Sequence, residues 1–155
     1  MEGVSATDEA AREQRTLLDQ LAERIPSHVA PDQADAVTAF ARAFTRRLSA
    51  GDVADLGPDE LLGLVLGAFR LADGRRREDV AVRVLNPSSR EDGYETVGTV
   101  LETNTLDVPF LFDSVNEELE ARGLGVRRVI HPVVGIERGP DGRIVRVMHV
   151  RETES

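Results

Sequence analysis

The residues of this chain whose types and spacing could do chemistry are two aspartates, three histidines and one glycine pair. Asp107 and Asp113 bracket the run Asp107-Val108-Pro109-Phe110-Leu111-Phe112-Asp113, and two carboxylates this close invite acid/base work. The helical reading of the run argues otherwise. Asp107 stands where a carboxylate caps the free amides of a first turn, and Asp113 lies one turn further on, held by the same positive dipole end. Ser114 follows with no base beside it in sequence, so no activated nucleophile is set up. We expect no catalytic residue in the chain.

His28 falls in a linker, whereas His131 and His149 fall on the two arms of a hairpin that turns at Gly139-Pro140-Asp141-Gly142. A three-residue loop, Pro140 to Gly142, pairs His131 with Arg151 and His149 with Val133 and puts both imidazoles on one face; a two-residue loop puts them on opposite faces. Even the first register supplies two ligands with no third carboxylate nearby in sequence, short of the three or four of a zinc site, so no metal is expected. Gly123-Leu124-Gly125 is a G-x-G, but Arg128 stands where the third glycine belongs. The pair also follows a helix and opens a strand, the reverse of a dinucleotide-binding turn, and reads as a helix cap. No cofactor site is expected in these residues.

A binding role survives this elimination. Pro109 suits a first helical position, and the amides of Phe110 and Leu111, with the positive dipole end behind them, form a place for an anion such as an amino-acid carboxylate. The candidate ligand loop is Asp107, Val108, Phe110 and Leu111.

The elements that must position this loop follow from periodicity. Thr7 reads as the N-cap of a first helix with a stripe of Leu17, Leu18, Leu21, Ala22 and Ile25, stopped by Pro26. Pro31 and Asp32 open a second helix with Val37, Phe40, Ala41, Phe44 and Leu48 on one face, and Ser49 to Gly57 reads as a turn. Gly57-Pro58-Asp59-Glu60 starts a third helix that is apolar on almost every side from Leu61 to Ala72, as in a helix covered on both faces. Gly63 and Gly67 on it permit close packing. Arg75-Arg76-Arg77 reads as a solvated linker at a helix C-terminus.

From Val80 the period changes to two. Val80, Val82 and Val84 alternate along a strand, Asp92-Gly93 marks a hairpin turn, and the β-branched run from Glu95 to Leu106 returns. A helix with Leu111, Phe112, Val115 and Leu119 on one face follows, then a strand from Val126 to Arg138 and another from Arg143 to Val150. The expected fold class is α+β: a three-helix segment over residues 1–77, then a β-β-α-β-β unit over 78–155. Its last helix should lie on one face of a mostly antiparallel sheet, with the strands flanking that helix parallel.

Composition sets the outer limits. The 155 residues are 41% hydrophobic and 30% charged, an ordinary globular balance that can bury a core. A net charge of -9 argues against nucleic acid, whose phosphates call for clustered Lys and Arg, and equally against a membrane surface. The absence of cysteine rules out disulfides and thiolate metal sites within these residues. No signal-peptide pattern opens the chain and no apolar run reaches the ~18 residues of a membrane span, which together point to the cytoplasm.

Several runs taken together resemble a known family. Asp107-Val108-Pro109-Phe110-Leu111-Phe112-Asp113-Ser114-Val115, then Gly123-Leu124 and Val129-Ile130-His131-Pro132-Val133, are similar to the N-terminal region of the large bacterial NAD-dependent glutamate dehydrogenases. Phe40-Ala41-Arg42-Ala43-Phe44, Asp52-Val53, Val82-Arg83-Val84-Leu85-Asn86-Pro87, Asp92-Gly93-Tyr94, Arg138, Asp141 and Gly142 agree with it, so that the likeness runs over roughly residues 15 to 150. The resemblance implies a ferredoxin-like ACT domain preceded by helices and followed, in the parent enzyme, by further ACT-like domains and a catalytic domain. That enzyme oxidatively deaminates L-glutamate to 2-oxoglutarate with NAD, and its glutamate-binding, NAD-binding and proton-transfer residues would lie elsewhere. The implied role is a non-catalytic regulatory or assembly module, with other domains and subunits of the enzyme, and a small amino-acid effector, as partners.

Two departures from the family pattern stand out. ACT domains that bind amino acids usually carry glycine after the loop proline, where this chain has Phe110. A full ferredoxin-like unit also needs another helix and strand after Val150, so either the first hairpin takes that place or the unit is cut short.

Overall fold

The computed structural model describes residues 5–148. Helices α1 (Ala6–Arg24), α2 (Ala34–Thr45), α3 (Ala50–Asp55) and α4 (Pro58–Asp73) come first, followed by β1 (Ala81–Leu85), β2 (Val100–Asn104), α5 (Leu111–Ala121), β3 (Gly135–Arg138) and β4 (Ile144–Met148). The chain is thus α+β, with small antiparallel sheets.

Local chemistry moves the helix boundaries. Ser5, not Thr7, caps α1, because its extended backbone lets the hydroxyl accept the Thr7 N–H at 3.3 Å. Pro26 ends the α-helix by way of a 3-10 turn over Ile25–Ser27. α2 begins at Ala34, with Gln33 as an N-cap that makes no side-chain bond, so Pro31 and Asp32 precede it. The expected turn from Ser49 to Gly57 contains α3. Ser49 Oγ accepts the Asp52 N–H at 3.1 Å and the Asp52 carboxylate accepts the Ser49 N–H at 3.2 Å, a reciprocal capping box that nucleates a helix this short.

The core forms where α1, α2 and α4 meet. Ile25, Val37, Leu61 and Val65 are wholly buried there, each worth about 1.5–3 kcal/mol of transfer free energy. Phe40 meets the Phe69 ring edge-on at a centroid distance of 5.5 Å. α4 buries residues on both faces, as its all-round apolarity requires.

The strands form two separate hairpins and not the single sheet expected from the sequence. β1 pairs antiparallel with β2, with Val84 opposite Leu101, and β3 pairs antiparallel with β4, with Ile136 opposite Val147. β2 and β3 therefore do not lie side by side as a parallel pair. The reason lies in residues 124–134, which run irregularly against the helices: Ile130 and Val134 pack on the core, and Arg128 pairs with Asp52 at 3.6 Å and Asp55 at 3.4 Å. The predicted strand from Val126 is thereby shortened to Gly135–Arg138, and β3 pairs with β4, which packs on α2, instead of with β2. α5, expected to cover a sheet face, has no buried residue.

The first hairpin is also shorter than its pattern. Asp92-Gly93 does not close a tight turn; residues 86–99 make a long loop whose Tyr94 turns back and is buried on α4. A Cβ on Gly63 would stand 2.0 Å from Tyr94 Cδ1, so glycine is what admits the ring. Anchored there, the returning chain enters the ladder only at Val100.

Candidate functional site

The loop before α5 is open to solvent. Asp107, Val108, Pro109 and Phe110 are exposed and Leu111 is half-buried. Asp107 does not cap the helix: the N-cap residue is Phe110, and no side chain bonds to the first turn. Phe110 takes a left-handed backbone, φ 63°, a conformation that costs a bulky L-residue of order 1–3 kcal/mol. Glycine is the residue suited to this conformation, and this chain carries phenylalanine there. Phe110 is 78% exposed, and no side-chain cap bond is made at this helix N-terminus. The four predicted loop residues are thus adjacent at an open helix N-terminus. No ion pair joins Asp107 or Asp113 to another described residue.

Phe112, on the first turn of α5, stacks on His131 with centroids 5.8 Å apart and ring planes at 16°. His131 and Pro132 then line a cavity of about 50 Å³ with Phe44, Arg47, Leu48 and Asp52. Asp52 is held below the usual carboxylate range, chiefly by its hydrogen bonds from Ser49 and further by the Arg128 charge. His131 precedes β3, outside the hairpin proper, and His149 lies outside the described residues. Among the described residues no group of three or more His, Cys, Asp or Glu could hold a metal ion.

Arg75 corrects the reading of the basic run. Only Arg76 and Arg77 are solvated; Arg75 is 9% exposed. Its Nε donates to Asn104 Oδ1 at 2.5 Å, and its Nη1 donates to the carbonyls of Arg76 at 3.0 Å, Arg77 at 2.6 Å and Asp79 at 3.0 Å. Burial lowers its pKa first and the nearby Arg138 charge second, with Asp79 opposing them. The guanidinium thereby ties the end of α4 to the end of β2, three residues before Asp107 of the candidate loop. No periodicity could have marked it, because the partner Asn104 is remote in sequence and the other acceptors are backbone.

Tyr94 and Glu102 form a second buried polar cluster over α4. Glu102 Oε2 pairs with Arg83 Nε at 2.9 Å, while Glu102 Oε1 and the Tyr94 hydroxyl are buried without a hydrogen-bond partner. Burial, then the Glu102 and Asp92 charges, push the Tyr94 phenol up to about 12. Sequence spacing singled out Gly63 and Gly67 for close packing; what packs there is Tyr94 on Gly63 and the Arg83–Glu102 pair on Gly67.

Gly123-Leu124-Gly125 forms a helix cap and not a dinucleotide-binding turn. Gly123 has φ 72°, its N–H donates to the Glu120 carbonyl, and the Leu124 N–H donates to the Leu119 carbonyl, so the glycine closes the C-terminus of α5 and cradles no phosphate. No helix among the described residues is long and apolar enough to cross a membrane.

Comparison with known proteins places these features. Residues 40–155 match the family described as glutamate dehydrogenase, ACT1 domain. The NAD-specific glutamate dehydrogenase of Halomonas elongata is 35% identical over 139 residues, which are 90% of this chain and 9% of the relative. The enzyme of the same name from Pseudomonas aeruginosa is 30% identical over 129 residues, 83% of this chain and 8% of the relative. The chain therefore spans less than a tenth of the length of these relatives. No solved structure matches it. With three quarters of its length inside one family's bounds and its landmark runs retained, the chain belongs to the glutamate dehydrogenase ACT1 domain family.

Proposed function

We propose that this chain is a non-catalytic, N-terminal regulatory or assembly module of a large NAD-dependent glutamate dehydrogenase, which oxidatively deaminates L-glutamate to 2-oxoglutarate in the cytoplasm. The observation that carries this is the coverage: an ACT1-family chain matched along most of its own length to under a tenth of enzymes named NAD-specific glutamate dehydrogenase. NAD and glutamate chemistry then belong to the remainder of the polypeptide. The partners are the other domains and subunits of that enzyme. In this reading residues 1–77 brace residues 78–155, since Ile144 of the second hairpin lies in the same core as α2 and α4, and the ferredoxin-like order β-β-α-β-β is the ACT part. Deleting residues 1–150 from the full enzyme should alter turnover, oligomer size or the response to amino acids. No change in any of the three sinks the proposal.

A second reading is an amino-acid-sensing module binding a carboxylate at Asp107, Val108, Phe110 and Leu111. It is favoured by the first turn of α5, where the left-handed N-cap Phe110 makes no side-chain cap bond. Titration calorimetry of the full enzyme and of its F110G variant with a panel of amino acids tests it. Heat that differs between the two proteins for at least one amino acid is expected, and identical heats for every amino acid reject it.

A further inference from the structure

The β1–β2 hairpin lies on α4 through a mixed face, with Arg83, Glu102 and Asn104 beside the half-buried Ala81, Leu85 and Val100. Arg83 and Glu102 point at Gly67, where an added Cβ would meet Arg83 Nη2 and Glu102 Oε1 at 3.0 Å, and Asn104 receives Arg75. The opposite face carries Val82 and Val84 at 58% and 64% exposure, with Leu101 at 40% directly across from Val84 and Thr103 across from Val82. Val80, just before the strand, extends the row at 65% exposure. A hairpin with one wet face normally turns its polar residues outward, and a slip of one residue would achieve that. Here both strands are in register with the valines outside, so the alternation is that of a strand covered on both sides.

We propose that this outer face, Val80, Val82, Val84 and Leu101, is where a further layer of the same polypeptide packs in the parent enzyme, an inference that rests on the function proposed above. Three observations select that occupant. The face carries no charge, since its only polar member is Thr103, so it fits an aliphatic helix stripe or sheet face and not a charged peptide or a lipid headgroup. A patch of this few side chains is of order 300–400 Å², short of the ~800 Å² per partner by which free copies form a stable dimer. A tethered segment escapes that requirement because its effective concentration is millimolar. The relatives also supply the length, since over nine tenths of each lies outside the match.

These 155 residues hold no cysteine, so V84C or V82C places the one thiol of this segment on the face and E91C on the exposed loop places a control, each read on its own peptide after labelling. In the full enzyme the V84C and V82C thiols should react with a maleimide at least tenfold more slowly than the E91C thiol. A photo-crosslinking residue at position 84 should join a peptide of the same polypeptide outside residues 1–155, with mixed isotope-labelled subunits showing an intrachain link. Equal labelling at all three positions overturns the proposal. So does a link to the same segment of a second subunit, to any other part of another subunit, or to a different protein. Thiol protection that persists while deletion of residues 1–150 leaves the enzyme unchanged would defeat the functional reading alone.

Discussion

The two hairpins have the same antiparallel geometry and similar lengths, yet they face the helices with opposite chemistry. β3–β4 turns apolar side chains inward: Ile144 is buried in the core with Ile136 and Val147 packed against it. β1–β2 turns the Arg83–Glu102 pair and Asn104 inward beside Ala81, Leu85 and Val100, and turns Val82, Val84 and Leu101 outward. The difference follows from what each helix offers. α2 presents Val37, Phe40 and Phe44 to β4, a surface only apolar atoms can cover. α4 presents Gly63 and Gly67 to the first hairpin, a shallow groove without side chains in which exposed helix backbone, a ring and a hydrogen-bonded ion pair fit together. One hairpin is held chiefly by apolar area, the other by specific polar contacts set within a mixed face.

The largest test of that contrast is truncation in each hairpin. Ile144→Ala should cost about 3 kcal/mol, lowering the melting temperature by roughly 6–12 °C in a chain of this size, whereas Val84→Ala should stay within about 0.5 kcal/mol in the same 155 residues. Equal losses in thermal melts would erase the distinction. Next in size is Arg75→Ala, which leaves Asn104 and three carbonyls without their charged donor; a cost of about 2 kcal/mol is expected, with amide exchange quickened in β1–β2 and not in β3–β4. Uniform quickening across both hairpins would count against a local tie.

Tyr94 supplies a pH test of the polar hairpin. Its folded pKa, pushed up to about 12, lies above the ordinary 10.0, so the folded state holds a proton that the unfolded chain releases. The associated stability is whole below pH 10 and declines as pH rises toward the folded value. About 1 kcal/mol should disappear between pH 10 and pH 11. Tyr94→Phe should flatten that slope in alkaline denaturant titrations and cost little at neutral pH, because the hydroxyl has no partner to lose. An unchanged slope would mean another group titrates. The smallest effect is expected at Phe110, where Gly relieves a left-handed backbone at the cost of chain entropy; a net gain of about 0.5 kcal/mol by equilibrium melts is expected. A loss would show that the exposed ring holds something in place.

Much of the helical part was legible because its signals are periodic and local. The stripes of α2 and α4 named their buried residues before any contact was known, and the glycine pair on α4 marked a close approach. α3 was missed because its capping box uses aspartate in place of the usual glutamate, within a stretch rich in turn formers. The candidate loop was located correctly as a strand-to-helix corner, but its cap was assigned to Asp107 when the backbone gives that position to Phe110.

What the sequence by itself determined is therefore the family landmarks, the long helices and the residues able to form their core, the last two because they depend on neighbours three or four positions away. What only the tertiary structure decided is which face of each hairpin is buried, that β2 and β3 do not pair, and that Arg75 is an internal tie. Those outcomes depend on partners tens of residues distant: Gly67 beneath Arg83, Asp73 accepting the Ile144 N–H at 2.8 Å, Asn104 on Arg75. Alternation along a strand states that two faces differ; it is silent on which of them a helix will meet.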